Sequence, residues 1–315
     1  MKKNVNVENI EGRVYEHDLA VKTVQNQQSE NYGKEFINGS LSVATDEAGL
    51  NVLTVHYTYV TEMTKNNKQN PTFINLKKIM GGKTWVTDGK DAAMKVRLSP
   101  SAALNDFYPQ GGDELVSQQR NEGGFVSIVN DLKPEGIARQ KFTFDTIITG
   151  VTLTEDEEPA VKIKCVIFNF KNDILPFTLM ARDSAQAGSV DYFMGLDASP
   201  SNPVYTQVWG EIVSTTVKVE KTVESAFGAP TVDITERRQR EWVVTGAKSE
   251  PYVFDDPSTI TAEELAKAIA NRNVYLEEVK TRAKEYYESR GNAVAAPKTT
   301  GPALNSTVPE GGFNF

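Results

Sequence analysis

Over most of the first 250 positions, apolar and polar residues alternate with a period of two. The runs 36–43, 50–60, 161–170 and 205–213 are rich in β-branched and aromatic residues and are bounded by Gly, Pro, Asn and Asp; 7–24 and 142–153 read the same way. Such runs predict strands, because these side chains fit a pleated, half-buried surface and the bounding residues favour turns. Between about 75 and 120 the pattern weakens, and short helical or irregular pieces are expected there as an insertion. A short motif recurs, a glycine with apolar residues two positions away: Ile10-Glu11-Gly12-Arg13-Val14, Ile37-Asn38-Gly39-Ser40-Leu41, Ile148-Thr149-Gly150-Val151-Thr152 and Val208-Trp209-Gly210-Glu211-Ile212. Glycine inside a strand marks a bulge or tight coiling, where a sheet bends to close on itself. Four copies in two pairs predict two small barrels in tandem, over 1–147 and 148–254.

After residue 254 the period changes. Thr261-Ala262-Glu263-Glu264 is a capping box at a helix start. Leu265, Ile269, Leu276, Val279, Ala283 and Tyr286 then share one face, which Arg272 interrupts. One amphipathic helix over 255–290, packed on the barrels, is expected. Residues 291–315 are mostly Ala, Pro, Thr, Gly and Ser, with Lys298 and Glu310 the only charged residues. They predict a flexible tail ending in two exposed aromatics, Phe313 and Phe315.

Composition narrows the function. The net charge of -8 lowers the expectation of a nucleic-acid partner, but a local basic groove can bind phosphate while acidic loops set the total. The single cysteine, Cys165, lies in an apolar run and reads as an inert buried thiol in a protein of the reducing cytoplasm. The start of the chain lacks the apolar run of a signal peptide, and no stretch approaches the ~20 apolar residues of a membrane helix. No membrane partner is expected. His17 and His56 are the only histidines, too few for a histidine-rich metal site. Gly82-Lys83-Thr84 matches the end of a phosphate-binding loop, but Lys77 stands where its first glycine belongs. Glu155-Asp156-Glu157-Glu158 reads as a solvated hairpin tip. No catalytic residue, metal or cofactor is expected, and the chain is not read as an enzyme.

Strand parity carries the binding argument, since successive side chains point to opposite faces. In 161–170, Val161, Ile163, Cys165 and Ile167 make an apolar face, while Lys162, Lys164, Phe168 and Phe170 put two cations and two rings on the other. Near 237–246, Arg238, Arg240 and Trp242 share one parity. In the first half, Leu53, Val55, Tyr57 and Tyr59 look like core, with His56 opposite; Phe36 lies opposite Ile37 and Leu41 and is an exposed-ring candidate. Lys77, Lys78, Lys83 and Trp85 form a further basic and aromatic group. Lysines neutralise phosphates and flat rings stack on unpaired bases, so this combination suits single-stranded nucleic acid.

With these features the chain resembles the OB-fold single-stranded DNA-binding proteins of bacteriophages. The likeness is carried by Ile10 to Val14, the hairpin from Phe36 to Val60, Val208 to Ile212 with the long ribbon that follows, and the tail ending in Phe315. It implies a mainly β fold of one or two OB-like barrels with a C-terminal amphipathic helix and a flexible tail. It further implies sequence-tolerant binding of single-stranded DNA in phage replication or recombination, and a tail that recruits replication proteins. The tail departs from the acidic tails of such proteins in holding only Glu310 among its last ten residues. A homo-oligomer is compatible with the sequence. The competing expectation is a structural or assembly protein of a phage virion, in which the exposed rings are subunit contacts.

Overall fold

The computed structural model describes residues 4–154, 158–223, 231–254, 256 and 259–291, with side chains described outside 215–239 and 290–291. Its elements in order are β1 (Asn6–His17), β2 (Ala20–Thr23), β3 (Glu35–Ala44), β4 (Val52–Thr61), α1 (Pro71–Met80), α2 (Trp85–Asp88), β5 (Lys95–Phe107), β6 (Val116–Ile128), β7 (Gln140–Leu153), β8 (Ala160–Phe168), β9 (Ile174–Arg182), α3 (Ser189–Met194), β10 (Val204–Val223), β11 (Thr231–Ala247) and α4 (Ala262–Gly291).

The strands close two rings. In the first, β1 pairs with β3, β3 with β4, β4 runs parallel to β6, β6 pairs with β5, and β5 returns to β1. In the second, β7 pairs with β8, β8 with β9, β9 runs parallel to β11, β11 pairs with β10, and β10 returns to β7. Each ring is a five-stranded barrel with its third and fifth strands parallel and its helices between the third and fourth. That is the OB arrangement. The first half of β1 pairs with β7, from Asn6 opposite Phe144 to Ile10 opposite Gln140, and joins the barrels into one sheet. One apolar cluster, including Ile10, Leu41, Leu98, Phe142, Ile163, Phe177 and Trp242, runs through both.

The motif glycines sit where strands crowd or slip. A Cβ on Gly12 would lie 2.0 Å from the Ala44 carbonyl oxygen, and one on Gly210 1.9 Å from that of Val243. Register shifts fall at Ile37/Gly39, Ile148/Gly150 and Trp209/Gly210. Gly12 and Gly150 occupy the first strand of each barrel, but Gly39 lies in a second strand and Gly210 in a fourth, so the motif marks bends rather than a repeated unit.

Residues 75–120 are not an insertion. They hold the end of α1, all of α2 and β5, and the start of β6, which are integral to the first barrel. The polar run Ser117 to Glu122 and Pro100 within β5 hid these strands, because β6 turns few apolar side chains inward. Strand β7 is continuous across residues 147 and 148, where the sequence suggested a boundary. At α4 the capping box forms: Thr261 Oγ1 accepts from the Glu264 amide at 3.1 Å, and a Glu264 carboxylate oxygen accepts from the Thr261 amide at 3.0 Å. Ile269, expected on the packing face, is exposed. Arg272, which appeared to break that face, is the anchor: its guanidinium donates twice to Asp106, at 2.7 Å each, with both side chains buried. The tail beyond 291, with Phe313 and Phe315, lies outside the described residues.

Candidate nucleic-acid interface

OB barrels take oligomeric ligands on the outer face of their second and third strands and on the adjoining loops. In the first barrel these strands are β3 and β4. The register shift at Gly39 slides β4 against β3, so inward and outward positions exchange along β4. Tyr57 is buried in the barrel while Tyr59, two residues on, is 48% exposed. Tyr59 is therefore not core, as parity suggested; it packs outside on half-buried Phe36, with ring centroids 4.7 Å apart. Lys22 of β2 stands across from Phe36 and donates to Asn38 at 3.2 Å. Two further rings went unnoticed in the sequence. Tyr32, in the loop before β3, is 52% exposed, and Phe125, on β6, is 73% exposed. Phe125 follows Gly123 and Gly124, both at positive φ, beside a register shift against β5. A bulge that re-aims a side chain is the signal that could have found it.

In the second barrel the corresponding strands are β8 and β9. Lys162 and Lys164 are exposed, and Val161, Ile163, Cys165 and Ile167 fill the interior, as parity predicts. Phe170 lies in the turn after β8, 79% exposed, with the Lys171 amine 5.6 Å from its ring. Phe168 is a correction. It is fully buried beside Tyr205, in a cluster with Ile260, Ala268 and Leu265. Its parity is outward, but the chain before α4 and the first turns of α4 cover it.

Trp242 is the second correction. It is buried in the second barrel, edge-on to Phe177 at 4.8 Å, and its indole N–H donates to Glu8 at 2.7 Å. Arg238 stands opposite Thr216 in the ribbon register; its side chain lies outside the described residues. Arg240 is partly exposed at the base of the ribbon, opposite Ser214. There Asn51, in the β3–β4 turn, accepts from the Ser214 amide at 2.6 Å and donates to the Ile212 carbonyl at 3.2 Å, so the base of the ribbon is tied to the first barrel. His56 of β4 pairs with Glu122 of β6 in the strand register. Burial holds its imidazole below the ordinary range, and the charges of Arg120 and Arg240 push the same way against Glu122 and Asp18. His56 of the first barrel thus feels the charge of Arg240 from the ribbon as well as that of Arg120.

The 77–85 group does not stay together. Lys77 and Lys78 are exposed on α1 and, with Glu62, Phe73 and Ile74, line a shallow depression of about 270 Å³; Lys77 also lies 3.9 Å from Glu35. Trp85 instead packs on Tyr15 and against Gly49 near the β3–β4 turn, with Lys90 over its ring. Lys83 is exposed just before α2, and Thr84 is that helix's cap, accepting from the Thr87 amide. The near-match to a phosphate loop is a helix cap. Among the described residues no group of three or more His, Cys, Asp or Glu could hold a metal ion, and no helix is long and apolar enough to cross a membrane.

Two joined OB barrels with basic and aromatic outer strand faces define the class of this protein by fold. The chain belongs to the YorF family, whose model matches residues 4–282. No curated protein matches it. Among solved structures it is similar to a deletion mutant of the single-stranded DNA binding protein from Thermus aquaticus, at 12% identity and a TM-score of 0.45, covering 82% of this chain and 98% of that one. The wild-type form of that protein is similar at 10% identity and a TM-score of 0.43, covering 83% and 98%.

Proposed function

We propose that this protein binds single-stranded DNA without reading its sequence, on the outer faces of both barrels, as a non-catalytic coat in phage DNA replication or recombination. The observation that carries this reading is the Phe36–Tyr59 ring pair on the strand-2–strand-3 face of the first barrel. Exposed Tyr59, packed on half-buried Phe36, offers a stacking platform that duplex DNA, with its bases already stacked, cannot use. Exposed Lys162 and Lys164 on the corresponding face of the second barrel, with Phe170 beside it, supply phosphate contacts and one more ring. Lys22, across from Phe36, and Lys77, 3.9 Å from Glu35, stand beside the first face. Electrostatics sets most of the affinity, and stacking sets the preference for single strands.

Gel-shift titrations with single-stranded and duplex oligonucleotides over a salt series test this. Tight, salt-sensitive binding to the single strand alone is expected. Absence of binding, or equal binding to both, overturns the reading and favours a subunit-contact role for the exposed rings. Recruitment of replication proteins by the tail ending in Phe313 and Phe315 is a separate proposal, tested by pull-down with and without residues 292–315.

A further inference from the structure

A guanidinium stays charged in a protein, and burying any part of it without a compensating anion is costly. Arg240 is in that position. Its Nε is buried with no hydrogen-bond partner, and among the described residues its side chain makes no ion pair. The carboxylate acting on it is that of Glu8 in β1, which is wholly buried. Glu8 is a poor counter-charge. One of its oxygens accepts from Trp242 and the other has no partner. Its strand partner is Phe142, so no second cation supports ionisation from β7. Burial outweighs the Trp242 hydrogen bond and the Arg240 charge and pushes the carboxyl up to about 8, which leaves it mostly neutral at pH 7. On the other side stand His56, itself held neutral, and Arg120, whose charge is answered by Glu122 at 2.8 Å. Among the described residues, this partly exposed cation thus has no ionised partner where the base of the ribbon meets the first barrel.

Resting on the single-stranded DNA reading, we propose that Arg240 is a phosphodiester-binding residue that carries the DNA backbone across the junction of the two barrels. Anion binding there removes the imbalance that the fold leaves, and it makes the two faces one track. Arg120 and His56 border the site; Arg240 supplies its free charge.

The test uses the full-length chain, a thymidine oligonucleotide and inorganic phosphate. For Arg240→Met the slope of log K against log salt falls by about 0.7, the loss of one phosphate contact on a single strand, while Arg240→Lys keeps the slope. Arg240→Gln replaces the Met variant should that fail to fold. Phosphate raises the melting temperature of the wild type and not that of the uncharged variant. An unchanged slope with intact oligonucleotide binding overturns the role of Arg240 and leaves the function standing. If the wild type binds no oligonucleotide the function falls, and the phosphate arm alone decides whether Arg240 is an anion site.

Discussion

Tyr59 and Phe168 show, at the scale of single residues, what strand parity can and cannot tell. Parity names a side of the strand. It does not follow a register through a bulge, which turned Tyr59 outward at Gly39, and it does not know what another element lays over that side, which buried Phe168. Where strands are regular it succeeded: Lys162 and Lys164 point out and Ile163 and Cys165 point in. Substitutions should separate the two classes of ring. Phe36→Ala or Tyr59→Ala should weaken single-strand binding by roughly 1–3 kcal/mol in fluorescence titrations, with little change in melting temperature. Trp242→Ala should cost about 3–5 kcal/mol of stability by denaturant unfolding; normal stability there would deny the ring its structural place. Glu8 allows a pH test. Its carboxyl is raised from 4.5 to about 8 in the fold, so its contribution is fully present below pH 4.5 and is lost as pH rises toward 8. Glu8→Gln, which keeps an acceptor for Trp242, should flatten that decline and be the more stable protein above pH 8, by several kcal/mol. Parallel stability–pH curves for the two proteins would refute it.

At the scale of elements, legibility followed apolar content. Strands β1, β3, β4, β7, β8 and β10 announce themselves by alternation, whereas β5 and β6 are held by their partners more than by their own sequence. The helix α4 is legible from its capping box, and its apolar face holds at Leu265, Leu276, Val279, Ala283 and Tyr286 but not at Ile269 or Arg272. The residue that seemed to spoil its apolar face makes a bidentate, buried ion pair to Asp106, whose carboxylate also accepts from Ser117. Its early turns lie on the second barrel through Leu265 and Ala268, and Tyr287 near its end donates to the Tyr108 carbonyl beyond β5. Removing one partner of such a pair strands the other charge. Arg272→Ala should therefore loosen α4 by about 3–5 kcal/mol, seen as faster amide exchange along the helix. Pairing Arg272→Met with Asp106→Leu should restore most of the protection; failure of the double variant would mean that the ion pair does more than hold the helix.

At the scale of the whole molecule, the arrangement of the barrels decides whether two faces act as one. Tandem barrels on a linker would unfold independently and orient freely. Here β1 is shared: its first half extends the sheet of the second barrel and its second half belongs to the first. Side chains also cross the junction. Thr45 donates to Gln140 at 2.7 Å, Gln119 to the Thr178 carbonyl at 3.0 Å, and Asn6 to the carbonyls of Ala102 and Phe168 at 2.9 and 3.0 Å. The apolar cluster is continuous through both barrels. Neither barrel can open without breaking the β1–β7 ladder and exposing core of the other, so calorimetry should record a single transition. For a unit of this size the enthalpy near 60 °C is roughly 200 kcal/mol, and the van 't Hoff value should equal it. Two peaks, or a van 't Hoff enthalpy near half the calorimetric one, would show barrels that unfold separately. A rigid pair fixes the spacing between the Phe36–Tyr59 face and the Lys162–Lys164 face, so on the proposed reading a single DNA strand that reached both would gain the second contact without a fresh loss of freedom.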